Sequence, residues 1–319
     1  MNSLVKPTPR QTTGVADRRA RPRGATLRCL LDRDDRFDRH TTTTSFAPLH
    51  GWGPQGKRAA LCVTFDNLGE AAEIERGDWG DQPVGQHRTA AFLPQLAAIL
   101  GEVRATYFME ASNVSLYAAE MRQWQLAGHE IGVHAWRHEV WYQCPPARRV
   151  HLLRQSMAAM QSIGIEPTGF RPPGGAIPAG AWSEFEAVGL LYCSALGTLG
   201  PRQVGRMVSL PFEWQQVDAY VTEEVMSHVR LRCGEPEAPM GLQHWIDSLH
   251  DTLDVAIKEG SQRTVIFHPT FLARSEAKLD VVTELIERAR QADFWIAPAG
   301  EVARFVAEEL NLPTAGFST

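Results

Sequence analysis

The chain has 319 residues, 44% hydrophobic and 22% charged, enough for one large domain or two small ones with a substantial core. A formal net charge of −5 argues against a general nucleic-acid binder, and no apolar run approaches the roughly 18–20 residues of a membrane span. The five cysteines form no Cys-x-x-Cys pair, which suits a reducing compartment better than a disulfide framework. Arg18-Arg19 has no hydrophobic segment behind it, so the expected location is the cytoplasm.

Residues 1–50 differ in kind from the rest. They hold about ten Lys and Arg, a mixed-charge run from Asp32 to Arg39 and the tract Thr41 to Thr44. Such a segment buries too little apolar surface to offset its ordering entropy, and reads as a poorly ordered or extended tail. His40 and His50 are solvated bystanders there, and residues 51–319 read as one catalytic domain. Gly51-Trp-Gly-Pro-Gln-Gly56 matches a dinucleotide fingerprint literally. It precedes a strand and contains Pro54, whereas the fingerprint must follow a strand and open a helix, so it reads as a loop.

A buried strand over 58–65 ends at Asp66-Asn67, and a carboxylate there lies at the mouth of an α/β fold. The polar, Gly-rich stretch 68–86 reads as a loop over that mouth. Helical periodicity over 89–100 places Phe92, Leu93, Leu96, Ile99 and Leu100 on one face. A strand over 105–109 follows, then a helix over 116–127 closed by Gly128. Strand, loop, helix, strand is the pattern of a parallel sheet.

Gly128 to Glu139 contains three of the eleven histidines. Ile131-Gly-Val133 is a short buried strand, and His134 and His138 follow it four residues apart. On a strand they would lie about 13 Å from each other, too far for one ion that needs nitrogens at about 2.0–2.1 Å. They share a metal only if the chain curls helically after Val133. A helix over 148–163 leads to Gly169-Phe-Arg-Pro-Pro-Gly-Gly175, a rigid turn that holds Arg171 in one direction.

Next come a helix over 181–188 and a strand over 190–194. Cys62 and Cys193 sit inside apolar strands and read as core residues rather than nucleophiles. The stretch 208–220 ends an apolar strand with Trp214 and Asp218. A helix over 247–258 leads to a strand over 263–267, with His268 at its carboxyl end and Pro269 ending the ladder. Helices over 276–292 and 300–310 flank a strand over 294–296. Five strand ends therefore carry Asp66, His134/His138, Arg171, Asp218 and His268. In a closed or nearly closed barrel those ends share one rim. No Gly-x-Ser-x-Gly elbow supports a serine nucleophile.

From 58 to 306 the chain resembles the polysaccharide deacetylase or NodB-homology family, carbohydrate esterase family 4. The motifs stand in the family's order: Thr64-Phe-Asp-Asn67, His134-x-x-x-His138, Arg171-Pro-Pro-Gly174, the Trp214/Asp218 stretch and Phe267-His268. The resemblance implies an α/β fold, a distorted (β/α) barrel of seven or eight mostly parallel strands. It implies a divalent metal ion, zinc first, with cobalt or nickel as alternatives. Asp66 becomes the general base and His134 and His138 metal ligands. Arg171 orients Asp66 and favours its carboxylate form. His268 becomes the general acid, with Asp218 as its orienting carboxylate.

Asn67 stands where the family usually has the aspartate that completes the metal triad. It would ligate through a neutral amide oxygen, with Glu70, Glu73 or Asp78 as candidate helpers. His138-Glu139 and the stretch from His268 to Arg274 look like the family's cytosolic branch, which includes allantoinase-like and cyclic-imide-hydrolase-like enzymes. Members of that branch are often homo-oligomers. The implied activity is hydrolysis of a non-peptide carbon–nitrogen bond in a small amide or acylamino sugar, with no nucleic-acid or membrane partner. The alternatives are a wall or chitin polysaccharide, ring opening of a cyclic amide, or a non-catalytic binding protein. Candidate substrate contacts are Trp136, Trp214, Pro172 and Gly174. Trp79 and Trp141 are further aromatic residues near the rim, and 68–86 and 226–243 are the expected pocket-shaping segments.

Overall fold

The eight residues Ala59–Asp66 are all buried, which requires cover on both faces of their strand. This strand, β2, is the spine of the fold. The computed structural model describes residues 43–197 and 200–312. The expected tail lies outside the described residues up to position 42, and its last part, Thr43–Ser45, forms a strand, β1. The others are β3 (Thr106–Met109), β4 (Glu130–Val133), β5 (Gly169–Phe170), β6 (Tyr192–Cys193), β7 (Arg202–Val204), β8 (Met207–Ser209), β9 (Gln262–Phe267) and β10 (Phe294–Ile296).

These strands make a single ten-stranded sheet. β10 and β3 share one edge of β2, against Ala59–Leu61 and Thr64–Asp66 respectively, and β9 takes the other edge. β4, β5, β6 and β8 continue in parallel from β3, while β7 and β1 add antiparallel at the far edge. A parallel bridge from Val217 to Ile266 of β9 ties the curl back on itself. The result is a mostly parallel, curled α/β half-barrel, as expected, with helices outside it.

Three expectations about segments are corrected. Residues 68–86 are not all loop: Ala71–Arg76 is a helix, because Ala71 and Ala72 bury against the core and Gly77 closes it in the left-handed region. The second pocket-shaping segment contains the short helix Ser227–Arg232. The helix expected from 247 begins at Leu242, since Trp245 joins Leu249, Leu253 and Ala256 in one buried stripe. Finally, Trp214 and Asp218 do not end a strand. β8 stops at Ser209, Trp214–Gln216 is a 3₁₀ turn, and Asp218 opens the short helix Asp218–Thr222. The loop reading of 51–56 holds, with Trp52 fully buried in a hairpin bridged to Lys57.

Candidate active site

Strand register decides which side chains meet. Met109 pairs with Val133, Val133 with Phe170 and Phe170 with Cys193. The next residue of each strand is Glu110, His134, Arg171 and Ser194, so these four occupy one rung of the rim. On the other edge Phe65 pairs with Phe267, which sets Asp66 level with His268.

Arg171 holds this rim together. Its Nη1 donates to Asp66 Oδ1 at 2.6 Å and to Thr64 Oγ1 at 2.9 Å, and Nη2 donates to Ser194 Oγ at 3.0 Å. The guanidinium lies 4.1 Å from the centroid of Phe108 and is 1% exposed. Phe108 in turn lies flat against Gly132, where a Cβ would stand 2.5 Å from its ring. A cation buried this deeply needs its carboxylate, so Asp66 is fixed in position. The second carboxylate oxygen, Oδ2, faces His134 Nε2 at 4.0 Å.

His134 and His138 do converge, with ring centroids 4.9 Å apart. The chain does not curl helically to achieve it. It makes a turn in which Ala135 (φ 62°) and His138 (φ 77°) take left-handed conformations rare for such residues. Buried Glu139 fastens the turn, accepting from the backbone N–H of Trp136 and Arg137. His134 Nδ1 lies 2.8 Å from the Arg171 carbonyl, which can only accept, so Nδ1 carries the proton and Nε2 keeps a free lone pair. Burial lowers the His134 pKa to about 3, helped by the Arg171 charge. Burial and neighbouring His134 also hold His138 well below its ordinary value. Both rings are neutral, as metal ligands must be.

The third donor is one that the sequence reading passed over. Glu110, Glu139's counterpart on the other side of the pair, is fully buried, and its carboxylate lies within 4.8 Å of ligand nitrogens of both His134 and His138. Asn67, held at φ 66° where asparagine is tolerated, donates its Nδ2 to Glu110 Oε1. Asn67 is thus tied to Glu110 through its Nδ2. Burial raises the Glu110 pKa to about 8, against the hydrogen bond from Asn67. The signal was present in the sequence: Glu110 follows an apolar strand immediately, as Asp66 does.

Glu70, Glu73 and Asp78 are otherwise engaged. Glu70 is fully buried, accepting from Tyr117 Oη at 2.5 Å and Gly85 N at 2.6 Å. Glu73 pairs with His87 at 3.1 Å and Asp78 with Arg76 at 2.9 Å. Each ties down the covering segment.

Across the rim, fully buried Asp218 binds His268 twice. Its Oδ2 accepts from the His268 backbone N–H at 2.7 Å, and Oδ1 lies 2.6 Å from Nδ1. Burial opposes the imidazolium, but the Asp218 charge outweighs it and raises the His268 pKa. Nδ1–H is thereby committed to Asp218, and Nε2 is left for the cavity.

These groups line one end of a cavity of about 480 Å³. Asp66, His134, His138, Arg171 and His268 reach it, as do Pro172, Gly174 and Trp214 among the expected substrate contacts. Trp214 stacks on Tyr220 with centroids 5.8 Å apart. Trp136 is a correction: it lies half-buried against the core and is not part of the cavity wall, because the left-handed turn at Ala135 directs it away from its histidine neighbours. Trp141 is core, packed on Phe170, and Trp79 packs on His87 in the covering segment. Cys62 and Cys193 are buried, and burial pushes the Cys62 thiol up to about 12, so neither is a poised nucleophile.

Comparison with known proteins agrees with this architecture. The polysaccharide deacetylase family model matches residues 55–193, a span that holds every rim residue except Ser194, Asp218 and His268. A provisionally assigned polysaccharide deacetylase from Mycobacterium smegmatis superposes with a TM-score of 0.68 at 23% identity, over 87% of this chain and 99% of that one. The PuuE allantoinase superposes with a TM-score of 0.63 at 19% identity, over 81% and 93%. At these identities the likeness is one of fold. No curated protein sequence matches.

Proposed function

We propose that the protein, whose residues 55–193 match the polysaccharide deacetylase family model, is a member of that family and a metal-dependent hydrolase of a non-peptide carbon–nitrogen bond. Its substrate is a small acylamino sugar or amide metabolite. The observation that carries this reading is that a carboxylate, Asp66, and an Asp218-held imidazole, His268, line the same cavity as His134 and His138, which converge with Glu110 as potential metal donors.

The residues present fit a divalent ion. Glu110, His134 and His138 form a nitrogen–nitrogen–oxygen set of the kind zinc accepts, leaving a position open. The Arg171 carbonyl and Asn67 stand behind them as orienting partners. Glu110, buried with only amide donors for company, is a carboxylate that gains from a cation. A bound ion would supply Lewis acidity to the amide carbonyl and acidify water beside it.

Asp66, oriented by Arg171, accepts the proton of the attacking water. Thr64 and Ser194 keep the guanidinium from swinging into the substrate space. His268 donates a proton from Nε2 to the departing nitrogen, and Asp218 stabilises the imidazolium that makes this possible. The walls of Leu196, Phe212 and Trp214 exclude water around the reacting bond.

A cavity of about 480 Å³, walled by helix Ser227–Arg232, favours a small molecule over a polymer chain. Ring opening of a cyclic amide is a second reading, favoured by the fold shared with an allantoinase. Both use the same proton transfers. The test is a panel of N-acetyl sugars and cyclic amides, assayed with protein of measured zinc, cobalt and nickel content. Hydrolysis of at least one member, dependent on bound metal and abolished in Asp66→Asn, is expected. Metal-loaded protein inert across the panel would defeat the reading.

A further inference from the structure

Two arginines stand two residues apart on the short helix Ser227–Arg232, and they have opposite fates. Arg230 is fully buried. Its Nη1 donates to the carbonyls of Tyr220 and Glu223 at 2.7 and 2.8 Å. Nε donates to Pro236 at 3.2 Å, and Nη2 to Glu237 at 2.6 Å. It rivets the helix to the segments before and after it. Arg232 is exposed at the cavity mouth and has no hydrogen-bond or ion-pair partner among the described residues. His228, one helical turn earlier, lines the same mouth.

The charge balance of the cavity gives this a direction. The one carboxylate among its lining side chains is Asp66, and Arg171 already matches it at 2.6 Å. Glu223, which precedes the helix, is engaged by Lys278. Arg232 is thus a positive charge on the cavity wall that no lining carboxylate matches. The lining shared with the catalytic groups includes the apolar side chains Val229, Met226, Val217, Trp214 and Phe212.

We propose that Arg232, with His228, selects substrates that carry an anionic group, carboxylate or phosphate, at the end remote from the scissile amide. The proposal deepens the amide-hydrolase reading and rests on it for the chemistry, though not for the recognition. A guanidinium pairs with either anion through two parallel N–H donors, and such a pair is a specificity element as much as an affinity one. Arg230 supplies the preorganisation that a long exposed side chain otherwise lacks.

Two matched pairs test it: hydantoin-5-acetate against its primary amide, and N-acetylglucosamine 6-phosphate against N-acetylglucosamine. For wild type, the anionic member of at least one pair is expected to have a kcat/KM higher by about tenfold or more. Arg232→Ala should bring that ratio to near one, mostly through KM, and Arg232→Lys should restore part of it. The pair that responds identifies the anion. No anionic preference in either pair, or a preference unchanged in Arg232→Ala, overturns the proposal. If wild type hydrolyses no member, the amide-hydrolase reading fails, and calorimetric dissociation constants for the same four compounds decide the rim. A tenfold anionic preference lost in Arg232→Ala supports it, and equal affinities or no binding overturn it.

Discussion

Glu110 and Glu130 are both carboxylates at the ends of parallel strands, on opposite ends of the barrel. Glu130, at the start of β4, is surrounded by donors that match its lone pairs. Thr106 Oγ1 lies at 2.7 Å, Tyr192 Oη at 3.0 Å, Thr168 Oγ1 at 3.2 Å and the Gly300 backbone N–H at 2.7 Å. Gly300 can have no side chain, because a Cβ would collide with that carboxylate. Glu110 is more deeply buried, and its side-chain donors among the described residues are the amides of Asn67 and Asn113, the latter at 3.4 Å, with the backbone amides of Leu68 and Glu110 itself beside it; it faces two neutral imidazoles. A saturated carboxylate is a strut that ties β3, β4, the entry to β5, β6 and the helix Ala299–Glu309 together. An unsaturated one, among other lone pairs, is half of a binding site.

The most severe way to test this difference is at the reacting group. Asp66→Asn should lower kcat by about 10²–10⁴-fold, the usual span for a general base, with metal content by elemental analysis unchanged. Retained turnover would reassign the base. Next in size is the pair of carboxylates themselves. Glu110→Ala should lose metal and activity together while the apoprotein melts near the wild-type temperature. Glu130→Ala should keep metal and lose about 2 kcal/mol of stability in urea unfolding, since four donors are left unmatched. The reverse pattern would break the comparison.

Asn67→Asp is a smaller perturbation that probes the same boundary. It removes the amide donor and sets a second carboxyl group beside buried Glu110, so the apoprotein should melt at a lower temperature. Added zinc should then raise the melting temperature by more than in wild type. An unchanged response to zinc would place Asn67 outside the ligand environment. The mildest change concerns pH. The Asp218 charge raises the His268 pKa above 6.5, so the proton-donating form persists to higher pH and kcat declines as pH rises through that raised value. Asp218→Asn removes the largest raising influences, leaving burial and the Arg171 charge against the Asp66 charge, and the alkaline limb of the profile should move to lower pH. A limb that stays in place would detach His268 from the proton transfer.

Much of this rim is legible along the chain because buried strands are short apolar runs and polar residues just beyond them have few places to go. That logic found Asp66, His134, Arg171 and His268, and applied evenly it would have found Glu110 as well. It placed Asn67 at the metal without foreseeing its bond to Glu110, and it named Glu70, Glu73 and Asp78 as helpers when each has its own partner in the covering segment. It also put Trp136 on the substrate. Side-chain direction after a strand depends on backbone conformations at Asn67, Ala135 and His138 that no periodicity encodes.

Composition, strand-end chemistry and motif order determined the fold class, the half-barrel and the identity of most rim residues, because hydrophobic period and residue type are local properties. Register and turn handedness were settled only by the folded chain. They bring Glu110, His134 and Arg171 onto one rung, turn Asn67 toward Glu110, and leave Arg232 facing the cleft while Arg230 is buried. Those choices are made by packing between elements far apart in sequence; along the strands a shift of one residue would send every side chain to the opposite face.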